Sequence, residues 1–469
     1  MLLRYFYDNS LAQASYMIGC QATGEALVID PARDVRPYVQ AAAAAGLRIT
    51  QVAETHIHAD FVSGSRELAQ ATGATLFLSA EGGPDWQYAF AGSDTVLLHN
   101  GDSWSLGNIR LQALHTPGHT PEHLIFQFTD TKMADQPMGL FSGDLLFVGD
   151  VGRPDLLEEA AGVVGSKEPG ARDQFRNVQW LKAMPDYLMV LPGHGAGSAC
   201  GKALGAVPSS TLGYEKLFNP AFQFTDEDAF VQWLLSGQPE PPAYFVQMKR
   251  VNKAGPALLL ELSAPPMLEG FVLEELTATG ATVLDARPES QAPSHIPGTR
   301  IIPPADQFNT YAGWMVDYRK PVYLIAEEAD VPQLVGQLRA VGIDDVAGFF
   351  TAEIAEAYAV DLPNTTPAEV AEVVGAGEAG VLDVRNHSEY AEGHIPGAIN
   401  VMYGLLPRHL DALPRERPLL VTCAGGTRSL IAMSVLLNAG FSAVVNLSGG
   451  FDAWREAGLP VQVSEGGAD

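Results

Sequence analysis

Four short runs in the N-terminal half combine imidazole and carboxylate groups in an order that suits a metal ion. The strand-like ITQVAETH runs into His56-Ile57-His58-Ala59-Asp60, and downstream come Thr116-Pro117-Gly118-His119, Phe141-Ser142-Gly143-Asp144 and Leu191-Pro192-Gly193-His194. Two imidazoles two residues apart at an extended strand end aim the same way. Each run follows an apolar strand and sits at its loop end, where a rigid scaffold presents ligands to one cleft. One such histidine alone reads as a hydrogen-bonded core or surface imidazole. The set, in this order, reads as a metal centre.

A second chemistry stands near the C-terminus. PLLVT is a short apolar strand that leads into Cys423-Ala424-Gly425-Gly426-Thr427-Arg428, and the apolar-periodic SLIAMSVLLNAG follows. The loop therefore opens a helix. A thiolate there meets unpaired backbone N–H groups and the positive end of the helix dipole, and Arg428 adds a full charge, so the thiol pKa should fall. Gly425 and Gly426 let the backbone fold into an anion-binding nest without a Cβ penalty, and with Thr427 they are the expected substrate contacts.

The elements that must hold these residues follow from pattern. Runs such as EALVIDP, ATLFLSA, HLIFQFTD and YLMVLPGH alternate with helical stretches in the N-terminal part, an α/β region with much strand. The Pro-, Gly- and charge-rich SGQPEPPAYFVQMKRVNKAGP reads as a boundary. An internal repeat follows it. The first copy carries ATVLDARPES, SHIPGT and PVYLIAEEAD; the second carries AGVLDVRNHSEY, GHIPGAIN and PLLVTCAGGTRS. The chain is thus divided into 1–237, a linker at 238–264, and two parallel-sheet α/β domains at 265–360 and 361–469.

Composition narrows the partners. A formal charge of -27, from 28 Lys+Arg against 55 Asp+Glu, repels a phosphate backbone or an anionic membrane surface, so neither nucleic acid nor membrane is expected. Three cysteines far apart in 469 residues, Cys20, Cys200 and Cys423, read as free thiols in a reducing compartment. The first residues lack a basic stretch followed by a long apolar one, and no apolar run reaches membrane-spanning length, so a soluble cytoplasmic chain is expected. Cys20 receives only a core reading.

Residues 1–235 resemble the metallo-β-lactamase superfamily, and within it the glyoxalase-II and persulfide-dioxygenase branch, which implies an αββα sandwich. The superfamily signature His-x-His-x-Asp-His has Phe61 in its last place here. A phenyl ring has no lone pair to donate, so a second metal loses a ligand and one metal is expected. The resemblance implies that His56, His119 and Asp144 hold a mononuclear Fe(II), a two-His, one-carboxylate facial triad with open positions. His58, Asp60 and His194 would then orient ligands or hold waters, with His58 also open as a fourth ligand. The stretch from Gly149 to Asp155 is similar to the Gly-Arg-x-Asp stretch of persulfide dioxygenases. Arg153 would steer an anionic substrate or pair with Asp155.

The C-terminal loop resembles the rhodanese active-site pattern Cys-x-x-Gly-x-Arg, together with Asp383-Val384-Arg385, Gly393-His394-Ile395-Pro396-Gly397 and the run from Leu447 to Trp454. Its shortness favours a terminal sulfur over a tetrahedral phosphate. The first copy has Ala326, Glu327 and Glu328 where a thiol and a basic loop should stand, so 265–360 is expected to be a catalytically dead rhodanese-like fold. The run Gly193 to Lys202 places Cys200 six residues after His194 and resembles the CstB-type family, which joins a persulfide dioxygenase to two rhodanese domains; Cys200 would be a buried core thiol or a persulfide carrier beside the metal.

These resemblances imply a dioxygenase that turns a thiol persulfide of glutathione, coenzyme A or a similar carrier, with O2, into sulfite and thiol. Sulfur transfer through Cys423 would then give thiosulfate, in a chain expected to form a homo-oligomer. Two other classes stay open: a glyoxalase-II-like zinc thioester hydrolase fused to a sulfurtransferase, and a persulfide sensor or scaffold without turnover.

Overall fold

Residues 1–159, 165–288 and 294–464 are described in the computed structural model of the chain, which divides into a unit of Met1–Ser263 with Arg339–Gly342 and a unit of Ala264–Leu338 with Ile343–Asp469. In the first unit, strand Gln13–Cys20 is buried along its whole length. The reason is its two covered faces: Tyr16, Ile18 and Cys20 enter a core shared by two sheets, while Met17 faces the other way, among Tyr38, Ala42 and Leu68 of two helices.

One sheet takes its strands in chain order: Leu2–Asp8, Gln13–Cys20, Glu25–Ile29, Arg48–Ala53, Thr75–Ser79 and Val96–Leu98. The other runs from Ser103–Leu106 through Ile109–His115, Leu124–Asp130, Gly139–Gly143 and Met189–Pro192 to Ser210–Thr211. Leu27, Phe77, Leu111, Phe126 and Phe141 fill the space between them. Helices Arg36–Ala44 and Ser65–Thr72 cover the first sheet, and Lys167–Lys182 and Glu227–Leu235 cover the second through Val178, Leu181 and Phe230. This is the expected αββα sandwich.

The stretch expected as a linker is not one. It contains helix Phe245–Ala254, with Phe245, Met248 and Asn252 buried on a face at helical spacing. Lys253 Nζ donates to the carbonyl of Asp85 at 2.6 Å, and the Leu259 amide donates to Glu67 at 2.7 Å. The first unit therefore continues to Ser263 rather than ending at 237. Prolines and glycines marked the breaks around this helix, but the surface that buries it comes from residues distant in the chain, Gly342 against Met248 among them.

In the second unit, strands Arg300–Ile301, Thr282–Asp285, Val322–Ala326 and Val346–Thr351 lie side by side in that order, all parallel. Ile399–Asn400, Gly380–Asp383, Leu419–Thr422 and Val444–Leu447 repeat the order and the sense, with Asn364–Thr365 added at the far edge. The central strands TVLD and GVLD are fully buried, as strands of a doubly covered parallel sheet should be. Each ends on an aspartate paired with the arginine two residues on, Asp285 with Arg287 at 2.7 Å and Asp383 with Arg385 at 2.5 Å. The sequence repeat is thus a repeat of architecture. Among the described residues no helix is long and apolar enough to cross a membrane.

Candidate metal centre and thiol loop

His119, Asp144 and His194 each lie just beyond a strand end, after Ile109–His115, Gly139–Gly143 and Met189–Pro192. His56 follows strand Arg48–Ala53 in the same way. The donor atoms of His56, His119 and Asp144 lie within 4.8 Å of one another, all buried. Asp144 Oδ2 is 3.4 Å from His119 Nε2 and 4.0 Å from His56 Nε2. Gly193 permits this approach, since a Cβ there would stand 2.7 Å from Asp144 Oδ1.

The outer nitrogens fix the tautomers. His56 Nδ1 bonds the Thr55 hydroxyl at 2.9 Å, and that hydroxyl itself donates to Asp30 at 2.9 Å, so the ring N–H is the donor to it. His119 Nδ1 donates to the carbonyl of Arg153 at 2.9 Å. Both rings therefore turn an Nε2 lone pair inward, the arrangement of metal-ligating histidines held by outer partners. Burial pushes the pKa of His56 well down, reinforced by the neighbouring histidines, and burial lowers that of His119. Burial opposes ionisation of Asp144, but His194 and His119 outweigh it and hold its carboxyl low. The result is an ionised carboxylate with no hydrogen-bond partner for either oxygen among the described residues, set against imidazole lone pairs. A cation is what this donor set fits.

A second donor set adjoins it. Asp60, His194 and Cys200 also bring one ligand atom each within 4.8 Å, all buried, and His194 Nε2 lies 3.3 Å from Asp60 and 3.5 Å from Asp144 Oδ1. Cys200 is therefore beside the centre as well as buried. Burial, then Asp60 and Asp144, push its thiol pKa well up.

Two expectations change. His56 and His58 do not aim the same way, because the strand ends at Ala53 and its alternation ends with it. His58 Nε2 turns to Asp30 Oδ1 at 3.1 Å, which leaves it outside the donor cluster. Burial opposes its charge, but Asp30 outweighs this and lifts its pKa to about 9. Arg153 is 1% exposed, so of its two expected roles the structure shows the pairing with Asp155 and not an open substrate contact. Its guanidinium holds Asp155 at 2.8 Å through Nε and the carbonyls of Ala199 and Pro239 at 3.2 and 2.6 Å, while its own carbonyl orients His119.

His123 was not singled out in the sequence. Its Nε2 accepts the Asp144 N–H at 3.0 Å and its Nδ1 bonds the Thr116 hydroxyl at 2.9 Å. Burial, and then His119, hold its pKa down at about 3, so it stays a neutral acceptor. Four residues after His119, it carried no strand-end or glycine signal. Asp30, directly after strand Glu25–Ile29, did carry a strand-end signal and was passed over because no histidine stands near it in sequence.

In the second unit Cys423 is 1% exposed, at the end of Leu419–Thr422 and before helix Thr427–Asn438. The Gly426 N–H donates to its Sγ at 3.1 Å. The loop's carbonyls are capped from the next helix, as the Phe451 amide donates to Cys423 O at 2.7 Å and the Asp452 amide to Ala424 O at 3.1 Å. Arg428 does not present a free charge: it forms two bonds with Glu389, at 2.6 and 2.8 Å. That carboxylate, on helix His387–Glu392, was missed from sequence.

Residues 9–194 match the metallo-beta-lactamase superfamily and residues 366–457 the rhodanese-like domain family. A metallo-beta-lactamase structure from Staphylococcus aureus is 42% identical, covers 75% of this chain and 99% of its own, and superposes with a TM-score of 0.68. The chain belongs to the metallo-β-lactamase superfamily. Within it, a hydroxyacylglutathione hydrolase of Rhodospirillum rubrum is 31% identical over 38% of this chain and 60% of its own length. A mitochondrial persulfide dioxygenase of Bos taurus is 28% identical over 34% of this chain and 59% of its own. The chain thus spans about three-fifths of these curated metallo-β-lactamase relatives. It carries a metal-binding metallo-β-lactamase domain followed by a C-terminal rhodanese-like domain.

Proposed function

We propose that this chain oxidises a low-molecular-weight thiol persulfide, that of glutathione, coenzyme A or a similar carrier, to sulfite and thiol at a mononuclear Fe(II) centre, and forms thiosulfate through Cys423. The observation that carries this reading is the union in one chain of a two-His, one-carboxylate set with a rhodanese-type thiol loop. Phe61 stands where a second imidazole would serve a dinuclear hydrolase. The likeness to a persulfide dioxygenase supports it, as does the presence of a rhodanese-like domain after the metallo-β-lactamase domain.

Iron held by His56, His119 and Asp144 would supply the redox capacity and charge that let O2 react with a sulfur anion. The chain's own residues do the rest. Thr55 and the Arg153 carbonyl hold the two rings in one tautomer, His123 fixes Asp144, and burial keeps bulk water out. Cys200, whose thiol pKa is pushed well up by burial and then by Asp60 and Asp144, is held as the weakly nucleophilic thiol beside the centre, which leaves sulfur carriage to Cys423. In the overall reaction the terminal sulfur is oxidised and O2 reduced; water supplies the third oxygen of sulfite and the thiol leaves with a proton. The Cys423 thiolate attacks the outer sulfur of a second thiol persulfide, whose thiol leaves; sulfite then attacks that outer sulfur on Cys423 and breaks its S–S bond, giving thiosulfate and the Cys423 thiolate. Residues 265–360, with Ala326, Glu327 and Glu328 at the loop position, are a rhodanese-like fold without a thiol that serves as spacer or docking surface.

The test is anaerobic purification with metal quantitation, then O2 uptake on glutathione persulfide. One iron per chain with persulfide-dependent O2 uptake is expected. A second reading, a zinc thioester hydrolase, draws on the Asp60, His194 and Cys200 donors and on the likeness to hydroxyacylglutathione hydrolases. Two zinc ions per chain, thioester hydrolysis and no O2 uptake would replace the first reading with the second.

A further inference from the structure

From Glu54 to Gly64 the chain has no regular helix or strand, yet nearly all of it is buried. This is the segment that carries His56, His58 and Asp60. Buried backbone amides and carbonyls need partners, and a loop without a ladder must find them elsewhere. One side chain from the former linker supplies three. Asn252, on helix Phe245–Ala254 and 2% exposed, donates through Nδ2 to the carbonyls of His58 at 2.8 Å and Phe61 at 2.7 Å. Its Oδ1 accepts the Ser63 N–H at 2.9 Å. The three bonds bracket Asp60 from both sides. Ser63 in turn donates from Oγ to Glu54 Oε1 at 2.6 Å, which closes the loop back onto the residue before Thr55 and His56.

We propose that Asn252 is a positioning residue of the metal centre, so that helix Phe245–Ala254 belongs to the site although it lies beyond the region matched to the superfamily. The proposal rests on metal binding by this unit and not on the reaction performed there. A carboxamide is the group required, because it offers two donors and an acceptor from one planar end. Aspartate has the same shape but turns a donor into an acceptor facing carbonyl oxygens, so the loop would have to move or leave those carbonyls unpaired. Groups that orient metal ligands from outside typically affect affinity by about 10- to 100-fold.

The experiment uses the full-length chain, metal-free, titrated with cobalt(II) alone. Asn252→Asp is expected to bind cobalt about 10- to 100-fold more weakly, with an altered visible ligand-field spectrum. Amide exchange in the segment from His56 to Ser63 should be faster in its metal-free form. Lys253→Ala, which removes the helix's bond to Asp85 without touching the loop, should lower Tm yet keep wild-type cobalt affinity. Wild-type affinity and spectrum in Asn252→Asp would overturn the proposal, and so would an equal loss in Lys253→Ala. If Asn252→Asp does not fold, Asn252→Ser is read by the same criteria. Cobalt affinity is blind to oxygen chemistry, so failure here is distinct from absence of O2 uptake in the iron enzyme.

Discussion

Arg153 shows how one buried side chain changes meaning with its partners. Its bonds to Asp155, Ala199 and Pro239 tie three segments together, so Arg153→Ala leaves a carboxylate and two carbonyls without their donor. Breaking a buried pair from one side typically costs about 3–5 kcal/mol. Urea denaturation should show a loss of that size. A raised KM for persulfide at unchanged stability would instead mark a substrate contact. Cys20 also gains a role beyond filling space. Burial opposes ionisation, but the Asn108 amide at 3.3 Å and bonds from Thr23 and Ala22 outweigh it and hold its thiol pKa down to about 7. The folded chain thus gives up this proton below the ordinary thiol value of 9.0. Its contribution to stability is full above that value and lost as pH falls through about 7. The gap in unfolding free energy between wild type and Cys20→Ala should therefore narrow from about pH 9 to about pH 6. A gap independent of pH would show that Cys20 does not ionise in the folded protein.

At the level of elements, the thiol loop depends on a turn that is distant in sequence. Gly450 has φ +61°, and a Cβ there would stand 2.2 Å from Ala424 O and 2.5 Å from Cys423 O. Glycine is required twice, by conformation and by space. Gly450→Ala must push the loop carbonyls away from the Phe451 and Asp452 amides that cap them. Sulfur transfer from thiosulfate to cyanide should fall at least about tenfold, on the scale of a lost hydrogen-bond network, while cobalt binding by the first unit stays at the wild-type level. Retention of full transferase activity would show that the loop tolerates the shift. The sequence marked this turn through its Leu-Ser-Gly-Gly-Phe-Asp run, but what the glycine avoids is visible only when the loop lies against it.

For the whole molecule, the two centres lie in separate units, each with its own core. His119→Ala should abolish persulfide-dependent O2 uptake and leave thiosulfate sulfurtransferase activity intact; loss of both in a folded protein would contradict independent sites. Cys423→Ser should keep O2 uptake and shift the products from thiosulfate towards sulfite, measured by anion chromatography. Unchanged thiosulfate would transfer the carrier role to Cys200. The sequence by itself marked the two candidate sites, because His56, His119, Asp144 and Cys423 stand just beyond apolar runs that announce themselves by local pattern alone, and a glycine directly precedes His119 and Asp144. It also determined the repeat, since Asp-x-Arg and His-Ile-Pro-Gly recur in both copies. Only the tertiary structure decided which nitrogen of each histidine faces inward, that His58 belongs to Asp30 and Arg428 to Glu389, and that helix Phe245–Ala254 is part of the first unit. Those outcomes depend on hydrogen bonds and burial between residues far apart in the chain, and local periodicity carries no information about which distant surface will satisfy a buried polar group.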